Sequence, residues 1–185
     1  AFVTLDTEGE YILDFNTTPV EFNSTRRLIK DRDALSQYYN NMGVYWMLRD
    51  QFDLAYLNLR EAISLADHEA YFWRARTYIR LERYDDAIVD LKTVVDLKPR
   101  YSPAYDNLGW LFMRRNDYDE SLSNLNKSIE LKPDNGWAHY MRGRVFFQKG
   151  DFKKAVENAE AACKLDYKDG CRDAKRYRAE LNKND

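Results

Sequence analysis

Residues 96–112 read DLKPRYSPAYDNLGWLF, and residues 130–146 read ELKPDNGWAHYMRGRVF. Both open on an acidic residue followed by Leu-Lys-Pro, cross a short polar gap and enter an aromatic-rich run containing a glycine. Pro99 and Pro133 stand 34 residues apart. The echo extends over much of the chain. A small residue recurs at Gly43, Ala75, Gly109 and Gly143, and three residues after each comes Trp46, Tyr78, Phe112 or Phe146. Four residues before each lies another ring, at Tyr39, Tyr71, Tyr105 and His139. Further sets follow at Phe52, Tyr84, Tyr118 and Phe152, at Ala55, Ala87, Ser121 and Ala155, and at Ala62, Val94, Ser128 and Ala162. Every set has the same spacings of 32, 34 and 34 residues. Self-similarity at one fixed period of this length marks a solenoid of stacked supersecondary units.

Each unit reads as two helices. Tyr105, Leu108, Gly109 and Phe112 form an i, i+3, i+4, i+7 stripe, and Leu122, Leu125 and Ile129 form the second. Ser102-Pro103 predicts an N-cap and a proline in the first turn of the first helix. The stretch 114–117, RRND, supplies the turn, Asp119 is placed to cap the second helix, and Pro133 stops it. The recurrent small residues suit close helix crossings, where a larger side chain at Ala87 or Ala155 would overpack the contact at a cost of roughly 1–3 kcal/mol. The first spacing is shorter because two residues are missing between Leu65 and Tyr71, in a turn between units, where deletion is best tolerated.

On Leu108-Gly109, Phe112, Tyr118 and Pro133, with their equivalents in the other units, the sequence resembles the tetratricopeptide-repeat family. The resemblance covers residues 34–167 as four units, 36–67, 68–101, 102–135 and 136–169. Asp67 and Tyr167 stand where the inner units have Pro99 and Pro133, and terminal solenoid units are commonly atypical. The resemblance implies an all-α, right-handed superhelix of helical hairpins. Residues 168–185 are expected to form a capping helix with Ala174, Tyr177 and Leu181 turned inward, and residues 19–33 a linker, with Asp33 capping the first helix.

It also implies a concave groove lined by the first helix of each unit, which binds a protein or peptide segment. The positions one step off the core stripe are Asn40, Val44 and Met47; Phe72, Arg76 and Ile79; Asp106, Trp110 and Met113; and Trp137, Tyr140, Arg144 and Phe147. Aromatic and arginine side chains are the types that dominate binding hot spots. The alternative is that these rings pack against neighbouring helices. Some family members clamp a C-terminal carboxylate with Lys, Asn and Arg. Here Val44 replaces the expected Asn and Pro103 the expected Lys, so that clamp is not carried over. Arg76, Arg80, Arg114 and Arg144 still bias the groove toward acidic partners.

Composition narrows the remaining classes. Lys and Arg number 29 against 31 Asp and Glu, which is not the basic excess of a general nucleic-acid binder. No apolar run is long enough to span a bilayer. Of the two histidines, His139 fills an aromatic slot of the repeat and His68 sits between Asp67 and Glu69 in a turn. Neither has the converging ligands a metal site needs, and no phosphate loop or nucleophile motif is present. No cofactor is implied. The acidic pairs Asp85-Asp86 and Asp119-Glu120 complement helix dipoles.

Cys163 and Cys171 are expected on consecutive antiparallel helices, within reach of a bridge. Their spacing is similar to that of Sel1-like repeat proteins, in which a disulfide staples each hairpin; the alternative is two buried thiols. A bridge would favour a bacterial periplasm or cell envelope over the cytoplasm.

Residues 1–18 contain AFVTL and YILDF, two short runs rich in β-formers joined by DTEGE, which predict a β-hairpin. A hairpin alone is barely stable in water, so it needs a larger sheet, the repeats, or edge pairing with a second copy. The stretch resembles the closing strands of a transglutaminase-like domain, with Asp14 in the place of the third member of a Cys-His-Asp triad. That resemblance implies an alternative function. The chain would then be the substrate-recruiting part of a cysteine hydrolase or acyltransferase whose Cys and His lie upstream.

Overall fold

The structure is a computed structural model that describes residues 2–5, 11–14, 26–29, 32–65 and 68–184. It divides into two compact units, residues 1–77 and residues 78–185.

The first unit opens with strands β1 (Phe2–Leu5), β2 (Tyr11–Asp14) and β3 (Arg26–Ile29). They form one antiparallel sheet in the order β1-β2-β3, with Phe2 opposite Asp14 and Tyr11 opposite Ile29. The hairpin therefore has a third strand, inside the segment read as linker. Helices α1 (Arg32–Leu48) and α2 (Phe52–Ser64) follow as an antiparallel hairpin, and α3 (Glu69–Arg80) begins in this unit. Asp33 lies within the first turn of α1, not at its cap. Leu59, Ala62 and Ala70 form the core, with Tyr39, Ile63 and Trp73 packed against them.

The second unit holds the end of α3 and helices α4 (Tyr84–Leu97), α5 (Ser102–Arg114), α6 (Tyr118–Leu131), α7 (Gly136–Gln148), α8 (Phe152–Lys164) and α9 (Lys168–Asn184). Each helix from α4 onward packs on the next, and α5 touches α7 as α7 touches α9. First helices thus stack on first helices, the arrangement of a hairpin solenoid. One core cluster gathers Met113, Leu125, Tyr140, Met141 and Val145, and another gathers Ala155, Val156, Ala159, Ala174 and Tyr177.

The turns within hairpins share one construction. Asp50, Glu82, Asn116 and Gly150 adopt left-handed backbone, with φ of 58°, 58°, 63° and 79°. The next backbone N–H reaches back five residues, from Gln51 to Trp46 O at 3.0 Å, Arg83 to Tyr78 O at 2.9 Å, Asp117 to Phe112 O at 2.9 Å and Asp151 to Phe146 O at 3.0 Å. These are the six-to-one bonds of Schellman motifs, which satisfy the otherwise orphaned carbonyls at a helix end. The aromatic Phe52, Tyr84, Tyr118 and Phe152 each begin the second helix.

Capping differs from the sequence reading. Tyr101, not Ser102, holds the N-cap position of α5, with no side-chain cap bond, and Ser102 is already helical. Asp117 precedes α6, so Asp119 falls in the first turn, where its charge still faces the positive end of the helix. Side-chain caps form at two helices: Asn135 accepts from Ala138 N at 3.2 Å and Asp151 from Lys154 N at 3.1 Å, whereas Asp117 makes no such bond.

The small residues are seats for the second helix. A Cβ on Gly109 would stand 2.6 Å from Leu125 Cγ, and one on Gly43 2.6 Å from Leu59 Cδ2. At Gly143 the neighbours are backbone, Ala155 O at 3.2 Å and Ala159 N at 3.3 Å. Ser121, at one of the small positions, donates its hydroxyl to Gly109 O at 2.6 Å in full burial.

Candidate functional site

The positions one step off the core stripe have unequal fates. Asn40, Met47, Phe72, Met113 and Tyr140 are buried; Val44, Ile79, Asp106, Trp110, Trp137, Arg144 and Phe147 are half-buried; Arg76 is exposed. In the second unit the cause is stacking. A side chain on α5 or α7 is covered when the first helix of the following hairpin lands on it, which places Met113 and Tyr140 in the core. Trp110 and Trp137 pack against the same cluster.

Asp106 is tied into the scaffold. Its carboxylate accepts from Ser128 Oγ at 2.5 Å and from Asn135 Nδ2 at 2.8 Å, and Asn135 in turn caps α7. Burial pushes the Asp106 carboxyl above its ordinary range, and the bonds from Ser128 and Asn135 pull it back. The residue ties α5 to α6 and to the start of α7. His139 is likewise structural: its Nε2–H donates to Pro133 O at 3.1 Å, as the Tyr105 hydroxyl does to Pro99 O at 3.1 Å one unit earlier.

Three of the groove residues, Tyr140, Arg144 and Phe147, line a recess of about 430 Å³ between α7 and α9. Gln148 completes its α7 side, and α9 contributes Arg172, Asp173, Arg176 and Tyr177. The floor is aromatic. Phe147 and Tyr177 stack at 4.4 Å with 22° between planes, and Tyr140 meets Tyr167 at 5.0 Å. The rim is cationic. The Arg176 guanidinium lies 4.8 Å from the Phe147 ring and that of Arg144 5.8 Å from the Tyr140 ring. A guanidinium near a ring face is attracted to it electrostatically and keeps its N–H donors for other partners.

Arg172 is already engaged, by Asp169 at 2.9 Å and more distantly by Asp173 at 3.6 Å. Among the described residues, Arg144 and Arg176 have no carboxylate partner within ion-pair distance. Asp173 is buried and accepts from the Tyr177 hydroxyl at 3.1 Å. Burial, reinforced by the Asp173 charge, pushes the Tyr140 and Tyr177 phenols up, so both stay protonated hydrogen-bond donors at neutral pH. The recess thus offers two open guanidinium edges and a phenol over an apolar floor.

Half of this lining comes from α9, which the sequence reading treated only as a cap. The signal was present: Asp169, Arg172, Asp173, Arg176 and Tyr177 follow i, i+3, i+4, i+7, i+8 spacing, so they share one face. Cys163 and Cys171 are joined by a disulfide from the end of α8 to the start of α9, with Cα atoms 4.6 Å apart. Among the described residues no three His, Cys, Asp or Glu side chains converge to hold a metal ion, and no helix is long and apolar enough to cross a membrane. Asp14 ends β2; its side chain lies outside the described residues, as do the N-terminal segments 6–10 and 15–25.

Stacked helical hairpins with repeated seats and repeated turns define a helical repeat protein. Models of the tetratricopeptide repeat match residues 68–101 and residues 107–181. The chain belongs to the tetratricopeptide-repeat family. No curated protein matches it. Among solved structures it is similar to the MamA protein, at 20% identity and a TM-score of 0.68 over 80% of this chain and 89% of that one. It is similar to YrrB, described as a TPR protein with an unusual peptide-binding site, at 20% identity and a TM-score of 0.64 over 73% and 70%. TTC0263, a thermophilic TPR protein in Thermus thermophilus, aligns at 24% identity and 0.64 over 79% and 82%.

Proposed function

We propose that this protein is a non-catalytic interaction scaffold that holds an acidic segment of a partner protein in the recess between α7 and α9. The carrying observation is the pair Arg144 and Arg176. Each guanidinium is stacked on a ring and neither has a carboxylate partner among the described residues. A partner carboxylate would meet a pre-ordered fork, with an apolar side chain seated on Phe147 and Tyr177. The peptide-binding site named for YrrB is consistent with this use of the fold. Nothing in the fold or in the matched spans favours the cysteine-hydrolase reading of residues 1–18.

The compartment follows from the cystine in this proposal. Disulfides persist in oxidising surroundings, which suits a periplasm or cell envelope. Self-association belongs to the same proposal, because β1 and β3 are the edge strands of the small sheet, and strand edges pair.

Fluorescence anisotropy with labelled acidic, neutral and basic peptides of equal length tests the site. Acidic peptides should bind, weaken as salt rises, and lose their advantage in Arg144→Gln/Arg176→Gln with helical content unchanged. Equal binding of basic peptides would refute the reading.

A further inference from the structure

We infer that the Cys163–Cys171 disulfide is a redox control on the recess: reduction releases the first turns of α9 and dismantles the α7–α9 site. The part of this that concerns ligand rests on the acidic-segment reading above; the release of α9 does not.

The cystine is close in sequence to the lining. Cys171 immediately precedes Arg172 and Asp173, and lies within two helical turns of Arg176 and Tyr177. The first turn of α9 meets small side chains, and the helix is anchored farther on by Tyr177, buried and stacked on Phe147. The α8 face beneath it is built from Ala155, Val156 and Ala159. The hairpin α5–α6 instead buries Leu125 in the equivalent place, 34 residues before Ala159. Small side chains let α9 approach closely: a Cβ on Gly170 would stand 2.7 Å from Ala162 Cβ and 2.9 Å from Ala159 O. Arg178 pairs with Glu160, but at a site open to solvent, where ion pairs contribute little.

Both cysteines are half-buried. A dithiol reductant supplies the electrons. One of its thiolates attacks a cystine Sγ and forms a mixed disulfide while the other Sγ leaves as thiolate and takes up a proton. The second reductant thiol then resolves the mixed disulfide. Two electrons and two protons pass to the protein, leaving two thiols, and the reductant ends as its own disulfide. The protein has only these two cysteines, so no other bond is touched. Opening a loop of this size raises the equilibrium constant for local unfolding by about 80-fold in the chain-entropy account.

Hydrogen exchange on the full chain, oxidised and then reduced with dithiothreitol, tests the release. The amides of Arg172–Tyr177 should lose about 80-fold in protection, while those of α5 and α6 are unchanged. Cys163→Ala/Cys171→Ala should reproduce the reduced pattern without reductant. In parallel, a fluorescein-labelled glutamate-alanine peptide should bind the oxidised chain at least fivefold more tightly than the reduced one. Exchange in α9 within twofold between the two states overturns the inference. Raised exchange with unchanged peptide affinity overturns the control of the site. A peptide that the oxidised chain does not bind counts against the acidic-segment reading, and the exchange measurement still decides the release of α9.

Discussion

Gly109→Ala tests whether the regular spacing of small residues encodes seats for the second helix. The added methyl would lie 2.6 Å from Leu125 Cγ and 2.8 Å from Cδ2, about 1 Å inside ordinary contact. Leu125 is fully buried and has nowhere to swing. Overpacking of this kind costs about 1–3 kcal/mol, against a gain of about 1 kcal/mol in helix propensity on removing glycine. The single change should therefore destabilise by about 1 kcal/mol. Leu125→Ala alone leaves a cavity and costs about 2–5 kcal/mol. In the double variant the clash disappears, the new methyl fills part of the cavity, and the propensity gain remains. The two effects should then fall short of their sum by about 2 kcal/mol, a coupling typical of side chains in direct contact. Urea unfolding followed by far-UV circular dichroism and by tryptophan fluorescence measures the cycle; coincident curves license the free energies. Additivity within about 0.5 kcal/mol would show that Leu125 does not occupy the space above Gly109.

The acid response of His139 is set by burial, which pushes its imidazole below the ordinary 6.5. The folded chain then binds fewer protons than the unfolded chain, so this contribution is complete above pH 6.5 and lost as pH falls below it. In His139→Tyr a phenol can reach Pro133 O as Tyr105 reaches Pro99 O, and thermal melts from pH 7 to 5 should flatten; an unchanged slope would contradict the assignment. Gly150→Ala forces a side chain into left-handed backbone at φ 79° and should cost about 1 kcal/mol, whereas Glu82→Gly should be neutral or slightly stabilising, both read from melting temperature. Arg176→Ala should weaken acidic peptide binding about tenfold, or about 1.4 kcal/mol, and flatten its salt dependence; loss of affinity with the salt slope intact would point to lost packing on Phe147 instead.

The hairpin units were legible because their signals are periodic. Seats, rings and turn residues repeat at one interval, and a repeated error is hard to make. Helix ends were less legible, since Ser102, Asp119 and Asp33 look like caps yet stand one or two residues inside their helices. There the backbone turn, not the side chain, decides where the helix starts. The left-handed positions Asp50, Glu82, Asn116 and Gly150 follow the same 32, 34, 34 spacing, but three of them carry side chains, which hid the turn from a search for glycine. Arg144, Phe147 and Tyr140 do line the recess, whereas Asp106 was drawn off by Ser128 and Asn135, partners that a single-helix wheel does not show. The α9 side of the recess is not legible as a site in the sequence, because a charged helix that closes a solenoid with one apolar face carries the same residue types.

The two joints between hairpins in the second unit are near copies. At the first, Lys98 N–H bonds Val94 O at 2.7 Å and Tyr101 N–H bonds Lys98 O at 3.0 Å; at the second, Lys132 N–H bonds Ser128 O at 2.8 Å and Asn135 N–H bonds Lys132 O at 3.1 Å. A segment bounded by interchangeable joints is a cassette. Excising residues 102–135 would carry the chain from Tyr101 straight into α7 through a joint it already possesses, and a duplicated copy would lengthen it the same way. The number of hairpins is therefore an adjustable quantity in this molecule, open to change by cutting and pasting DNA in multiples of one unit, while the recess between α7 and α9 travels intact at the end.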